Sequence, residues 1–286
     1  KINYQLIYFC LEEPREKFID RLITHFYYIK YGKYLDYPKL LSNSKNILSE
    51  QEWKEIDGIK IKVNNFLKYV TIVDDVYDPD TMYDICLEHL SNNGRLVTEI
   101  KNNVRDIKSF VPHKLDSHIC VITDHCNDLT GDKFGKGETF YAIEKWCRNY
   151  SARNLSKKAN VTCFQVLQQA LDKTQYTSKG KVVVSKLEPS KEGLGDNKQV
   201  YRSLDILLGL FAPSFFELEE YNGWDITKLG HNYRALLLLK NRDGKPRGKL
   251  DLIIKGNTFD FLEIPQARTD GSNILQMNEI YEKWHY

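Results

Sequence analysis

Apolar residues recur along this chain in two rhythms. Gln5–Leu11 is a short apolar run that stops at Glu12-Glu13-Pro14, the length and boundary of a buried strand. Between Glu13 and Ile29, Phe18, Leu22, Ile23 and Phe26 fall at helical spacing. Ser49 followed three residues later by Glu52 makes a capping box, so a helix is predicted to begin at Glu50. Tyr69–Val73 is β-branched and ends in Asp74-Asp75. Thr81–Leu90 is helical until Asn93-Gly94 stops it. His118–Thr123 is a buried-type strand ending at Asp124, Phe140–Ala159 a long helix, and Val161–Leu167 a further strand. Leu204–Phe211, Ala235–Lys240 and Leu250–Lys255 follow as strands, and Asn257–Phe261 continues them in hairpin style.

Apolar strands separated by helices predict an α/β fold, a mainly parallel sheet covered on both faces, with an antiparallel extension near the C-terminus. Residues 1–265 are expected to form this core. The tail from 266 to 286 is expected to be helical, with Ile274, Met277, Tyr281 and Trp284 on one apolar stripe.

Composition narrows the function classes. The 41 basic and 39 acidic side chains leave a net charge of +2, which excludes a wholesale polycation that coats nucleic acid. That balance hides a segregation. Residues 153–186 hold seven basic side chains and one acid, net +6, while residues 203–227 hold five acids and no Lys or Arg. Six cysteines without a CxxC pair, three of them inside apolar runs, predict reduced and mostly buried thiols in a cytoplasmic protein. The seven histidines are not at zinc spacing. The longest nearly apolar run, Leu207–Phe216, is far short of the roughly 18–20 residues a membrane helix needs. The chain opens at Lys1 directly on a strand-like run, without signal-peptide features, and further sequence is expected upstream.

Polar residues at strand ends carry the candidate chemistry. In open parallel sheets, ligands bind outside the carboxyl ends of the strands. Glu12, Asp124 and Gln168 each follow an apolar strand, so a parallel sheet would gather them on one edge. A carboxylate to orient water, a carboxylate for Mg²⁺ and an amide to sense a phosphate suit nucleotide hydrolysis.

The segment Tyr8-Phe9-Cys10-Leu11-Glu12-Glu13-Pro14 resembles the Phe-Ser-Leu-Glu-Met-Pro segment of DnaB-type replicative helicases. The likeness continues in order. Leu48-Ser49-Glu50-Gln51-Glu52-Trp53 and Val70-Thr71-Ile72-Val73-Asp74-Asp75 are similar to the family's acidic-Trp helix and the strand ending in paired Asp. Val121-Ile122-Thr123-Asp124-His125 resembles the Walker B strand, and Phe164-Gln165-Val166-Leu167-Gln168-Gln169 the strand with the sensor glutamine. Leu239-Lys240-Asn241-Arg242-Asp243-Gly244 resembles the Lys-Gln-Arg-Asn-Gly turn. The intervals are longer than in the bacterial enzymes, as for a phage-type member.

The resemblance implies a RecA-like ATPase core using ATP and Mg²⁺, assembled as a homohexamer on single-stranded DNA, with a primase or loader as further partner and no membrane. It is expected in the cytoplasm, or the host cytoplasm if phage-encoded. Glu12 would be the general base, Asp124 the Mg²⁺ residue and Gln168 the γ-phosphate sensor. Lys240 and Arg242 would reach into a neighbouring subunit's site. Lys133 and Lys136 in one loop, and Lys173, Lys179, Lys181 and Lys186 in the next, would track the DNA backbone.

The sequence departs from the family in one important respect. No GxxxxGK[ST] loop occurs in it. Gly131–Gly137 and Gly244–Leu250 are near misses, one residue short and without the Ser or Thr. The phosphate loop is therefore expected upstream of Lys1, and the 286 residues alone are expected to be inactive. Thr123 and His125 also replace the usual flanks of Asp124. Two rivals follow. One is an inert RecA-like ring protein that holds DNA without turnover. The other is a Mg²⁺-dependent nuclease, because Pro79-Asp80 and Glu99-Ile100-Lys101 fit PD-(D/E)xK spacing.

Overall fold

The computed structural model describes residues 3–41, 47–101, 104–130, 139–169, 177–178, 181–245, 248–256, 258, 260–267, 276 and 278–280. The chain divides into two compact units, Lys1–Ala170 with Leu194–Leu204, and Leu171–Gly193 with Asp205–Tyr286.

The first unit is built on strand β1 (Asn3–Cys10). Helices α1 (Arg15–Tyr31) and α2 (Glu50–Leu67) follow, then β2 (Val70–Val73) and α3 (Pro79–Asn93). Next come a hairpin, β3 (Gly94–Lys101) and β4 (Val104–Pro112), and strand β5 (Ser117–Asp124). A long helix α4 spans 139–159 and leads to β6 (Thr162–Gln165). The sheet runs β2-β1-β5-β6, parallel throughout, with Cys10 opposite Asp124 and Thr123 opposite Gln165.

β1 is buried on both faces, as a central parallel strand must be. On one face Tyr8 meets Phe18 of α1, ring centroids 4.7 Å apart. On the other, Phe9 meets Trp146 of α4 edge-on at 5.5 Å. Met82, Tyr83, Cys86, Leu87 and Leu90 of α3 pack into the same core. Each such fully buried large side chain contributes about 1.5–3 kcal/mol. The parallel α/β core and its antiparallel extension are thus as the apolar pattern predicts.

The predicted cap of α2 is present. Ser49 Oγ accepts from the Glu52 backbone N–H at 3.2 Å, and Glu52 accepts from the Ser49 N–H at 2.7 Å. α1 has no side-chain cap of its own on Pro14. Asp74, just past β2, accepts from the Arg15 backbone N–H and from its guanidinium at 2.8 and 3.1 Å, which holds the Asp74 carboxyl below its usual range. The β3–β4 hairpin is absent from the sequence pattern, because most of β3 is exposed on both faces and shows no alternation. It also corrects the nuclease reading. β3 pairs only with β4, placing Glu99 opposite Asp106, whereas Asp80 sits in the first turn of α3. The two halves of that motif are not on adjacent strands.

All six cysteines are free thiols, buried or half-buried. Burial raises the Cys163 thiol to about 12, consistent with inert packing residues.

The second unit is an antiparallel sheet of β7 (Ile206–Phe211), β8 (Tyr233–Asn241), β9 (Gly248–Lys255) and β10 (Asp260–Ile264), in the order β10-β9-β8-β7. Tyr233, Ala235 and Leu237 alternate into a core with Trp224 and Ile253. The last hairpin strand is Asp260–Ile264, three residues later than Asn257–Phe261, because Thr258 lies in the connecting turn. Of the tail, Ile280 packs on this core and Gln276 donates to the Gln266 carbonyl at 3.1 Å; Ile274, Met277, Tyr281 and Trp284 lie outside the described residues.

One buried carboxylate in the first unit is pH-sensitive. Glu55 of α2 accepts from Tyr27 of α1, from Gln51 at 3.0 Å and from Lys33 at 3.1 Å. These bonds, the Tyr27 hydroxyl foremost, lower its pKa from 4.5 to about 2. A depressed folded-state pKa stabilises above the unfolded value and is lost as pH falls through the folded one. Thermal unfolding followed from about pH 6 down to about pH 2 should therefore show a falling midpoint below about 4.5. Glu55→Gln should lower the midpoint at about pH 7 and flatten that dependence; an unchanged slope would remove Glu55 as its source.

Candidate functional site

The carboxyl edge of the parallel sheet gathers the predicted strand-end residues. Cys10 is the last residue of β1, and the backbone continues the ladder, with the Leu11 N–H donating to the Asp124 carbonyl at 2.7 Å. Glu12 is the next residue, exposed at the edge. Its neighbour Glu13 is held differently, accepting from Arg21 and lying 3.6 Å from Lys17.

Asp124 ends β5. Its Oδ2 accepts from the Tyr8 hydroxyl at 2.9 Å. Burial, with the Asp124 carboxylate beside it, pushes the Tyr8 hydroxyl far above its ordinary range, so Tyr8 stays protonated and donates to Asp124. His125 follows and is buried between two carboxylates. Its Nε2 is 3.5 Å from Glu12 Oε2 and its Nδ1 is 3.7 Å from Asp128 Oδ2. The sequence marks His125 only as a departure. The structure places its ring between Glu12 and Asp128.

Thr123, the other departure, is fully buried and accepts from the Trp146 indole N–H at 2.9 Å. The same N–H reaches Gln165 Oε1 at 2.8 Å, and Gln165 Nε2 donates to Ser151 Oγ at 3.1 Å. A polar belt therefore ties β5 and β6 to α4 directly beneath the edge. Gln168 lies three residues beyond the end of β6 rather than on the strand, exposed, with its backbone N–H donating to Asn127 Oδ1 at 2.9 Å. It shares the edge with Glu12 and Asp124.

Lys240 and Arg242 lie on the other unit, at the end of β8 and the turn after it. Arg242 pairs with Asp205 by side chain and, at 2.9 Å, by backbone. Burial first, then the Arg242 charge, lowers the Lys240 pKa. The near-miss loop Gly244–Leu250 runs into β9 rather than a helix, and Lys249 is bound to Glu188 and Tyr221, both at 2.8 Å. It does not form a phosphate cradle. Lys186 is exposed on a short helix, Val184–Leu187. Lys133, Lys136, Lys173 and Lys179 lie outside the described residues, as does the side chain of Lys181. No cluster of three or more metal-ligating side chains occurs among the described residues. A lone carboxylate such as Asp124 suits Mg²⁺, which keeps several waters and takes one or two carboxylates together with substrate phosphates.

Solved structures share this fold. A helicase ATPase domain superposes with a TM-score of 0.61 over 91% of this chain and 75% of its own, at 14% identity. A DnaB-like replicative helicase, solved in a study of its interactions with primase, superposes with a TM-score of 0.62 over 90% of this chain, at 15% identity. The chain has a DnaB-type RecA-like fold. It spans about half, 51%, of that second helicase. No family model and no curated protein matches the sequence. No helix among the described residues is long and apolar enough to cross a membrane.

The hydrogen bonds at this edge differ in what their loss exposes. Tyr8→Phe removes one donor from Asp124, which stays partly solvated, and should cost about 0.5–1.5 kcal/mol in urea unfolding. Trp146→Phe strands the buried Thr123 hydroxyl and leaves Gln165 Oε1 with only the Cys126 thiol as donor, and should cost more, about 2–4 kcal/mol with the lost packing. Equal losses would show that the belt adds nothing beyond the edge bond.

Proposed function

We propose that the chain is the ATPase motor domain of a DnaB-type helicase, working as a homohexameric ring on single-stranded DNA with ATP and Mg²⁺. The observation that carries this is the convergence of Glu12 and Asp124 at the carboxyl edge of a DnaB-type fold, where the Leu11 N–H meets the Asp124 carbonyl and His125 Nε2 lies 3.5 Å from Glu12. Glu12 orients and deprotonates the attacking water. Asp124 would hold Mg²⁺, whose charge would offset that of the phosphates, and Gln168 senses the γ-phosphate. Lys240 and Arg242 act on the nucleotide of the adjacent subunit. The Arg242–Asp205 ion pair is exposed, and such pairs contribute only about 0–1 kcal/mol, so releasing Arg242 toward a neighbour costs little.

Lys133, Lys136, Lys173, Lys179, Lys181 and Lys186 supply sequence-independent contacts to the DNA backbone. A primase is the further partner suggested by the relative solved with one in view, a loader a second candidate, and the cytoplasm, or a host's, the compartment. An inert ring protein remains the second reading, favoured by the lack of a GxxxxGK[ST] loop in these 286 residues.

ATP hydrolysis by the full-length protein, with and without single-stranded DNA, separates the readings. Glu12→Gln should lower kcat by about 10²–10⁴-fold while leaving nucleotide binding intact. Normal turnover in that variant would sink the base assignment, and no turnover in the unaltered full-length protein would favour the inert ring. Arg242→Ala mixed with unaltered subunits should depress activity more steeply than its share of the mixture. A loss strictly proportional to that share would place Arg242 outside the neighbour's site.

A further inference from the structure

A cleft of about 420 Å³ opens in the first unit between the β3–β4 hairpin and α4, among residues with no part in the roles above. Four cations line it: Lys101 from the hairpin and Lys145, Arg153 and Lys158 from the helix. Two carboxylates answer them. Lys145 is 2.6 Å from Asp80, and Lys158 is 2.5 Å from Asp106. Lys101 and Arg153 have no ion-pair partner among the described residues. Like charges held together in one cleft repel, so two uncompensated cations favour a bound anion.

A second observation is independent of charge. Asn154 lines the same cleft, is only 5% exposed, and its Oδ1 has no hydrogen-bond partner among the described residues. A buried carbonyl oxygen left unpaired costs free energy until a donor meets it. The Tyr83 hydroxyl, also buried and unpaired, lies against the same Asn154 carboxamide, so it is the uncompensated charge of Lys101 and Arg153 that specifies the ligand as an anion. Tyr150 forms part of the cleft wall and stacks on Tyr83 behind it, with centroids 4.2 Å apart and rings 5° from parallel.

The helix is shaped to this purpose. Over Lys145–Ser156 it takes the wide π form, bonded i→i+5. π segments are rare and concentrate at functional sites. The lining positions 145, 149, 150, 153, 154 and 158 are linked by steps of four and five, the spacing that the wide turn brings onto one face.

We propose that this cleft binds the phosphate of a nucleotide unit, with Lys101 and Arg153 on the phosphoryl oxygens and Asn149 at the rim. The site is distinct from the Glu12–Asp124 edge and does not rest on the helicase reading. A free nucleotide and a nucleic-acid strand share this chemistry, so the test has two arms. Acetylation of Lys101, Lys145 and Lys158 in the full-length protein is followed by mass spectrometry, with AMP in one arm and a single-stranded oligothymidylate in the other. One probe should slow modification of Lys101, and Arg153→Ala should raise the concentration needed by about tenfold, the usual effect of losing a charge-assisted hydrogen bond. Glu12→Gln should leave the protection unchanged.

Protection by AMP identifies a free-nucleotide site. Protection by the oligonucleotide alone identifies a strand-tracking site. Exposed Arg153 can be replaced without disturbing the core, so Arg153→Ala reports on the ligand rather than on folding. No protection by either probe, or protection indifferent to Arg153→Ala, would overturn the assignment.

Discussion

The backbone N–H of Leu11 donates to the carbonyl oxygen of Asp124 at 2.7 Å, and the geometry of the sheet edge depends on this last rung. β1 is paired on both sides and buried on both faces, with Tyr8 and Cys10 turned to one layer and Ile7, Phe9 and Leu11 to the other. A slip of one residue would exchange every side chain between the layers, sending Phe9 away from Trp146 and Tyr8 away from Asp124. The register is therefore held by the whole strand. Glu12, the first residue past the last rung, inherits its backbone position from the packing of that strand, and its carboxylate lies 3.5 Å from His125 Nε2.

This explains how much can be read from the residues. The central strands are legible because a strand covered on both faces is an unbroken apolar run, and the run's end marks the edge where chemistry collects. The α2 cap is legible because a capping box is local. The β3–β4 hairpin is not. Ile100 and Val111 point to solvent while Ile107 is buried, so its apolar residues show neither period 2 nor 3.6. Apolar Val166 and Leu167 extend the predicted strand toward Gln168. The ladder ends earlier, where the Cys126 N–H bonds to the Val166 carbonyl and turns that segment toward the loop after β5. The role of His125 depends on Glu12 and Asp128 together, and no local signal announces a residue defined by partners from two segments. The π form of α4 has no signature of its own; only the four-and-five spacing of its polar residues hints at it.

Thr123, one of the residues that depart from the resembled family, is accounted for by packing. The Thr123 hydroxyl accepts from the Trp146 indole, which a purely apolar residue could not do, and Gln165 shares that indole. A buried polar network is favourable only when each member is paired, and here the indole, the hydroxyl and the amide are paired with one another. Such a network favours one arrangement of β5, β6 and α4 over near alternatives. The edge above it then needs only short side chains to place its carboxylates, and divergence in wording is compatible with retention of the fold.

Charge shows the same separation between what is settled within the chain and what is left over. The acids of residues 203–227 are partly committed locally, Asp205 to Arg242 and Asp225 to the cap of the helix Ile226–Leu229 and to Lys228. In the basic stretch, Lys158 is committed to Asp106, but Arg153 stands in the cleft beyond the reach of either carboxylate there. A net charge of +2 thus describes neither part. Asp205 and Asp225 of the negative stretch are taken up by a turn and a cap of the antiparallel unit, whereas Arg153 of the positive stretch sits, with no ion-pair partner among the described residues, on a helix face whose wide turn aligns it with the other cations of the cleft.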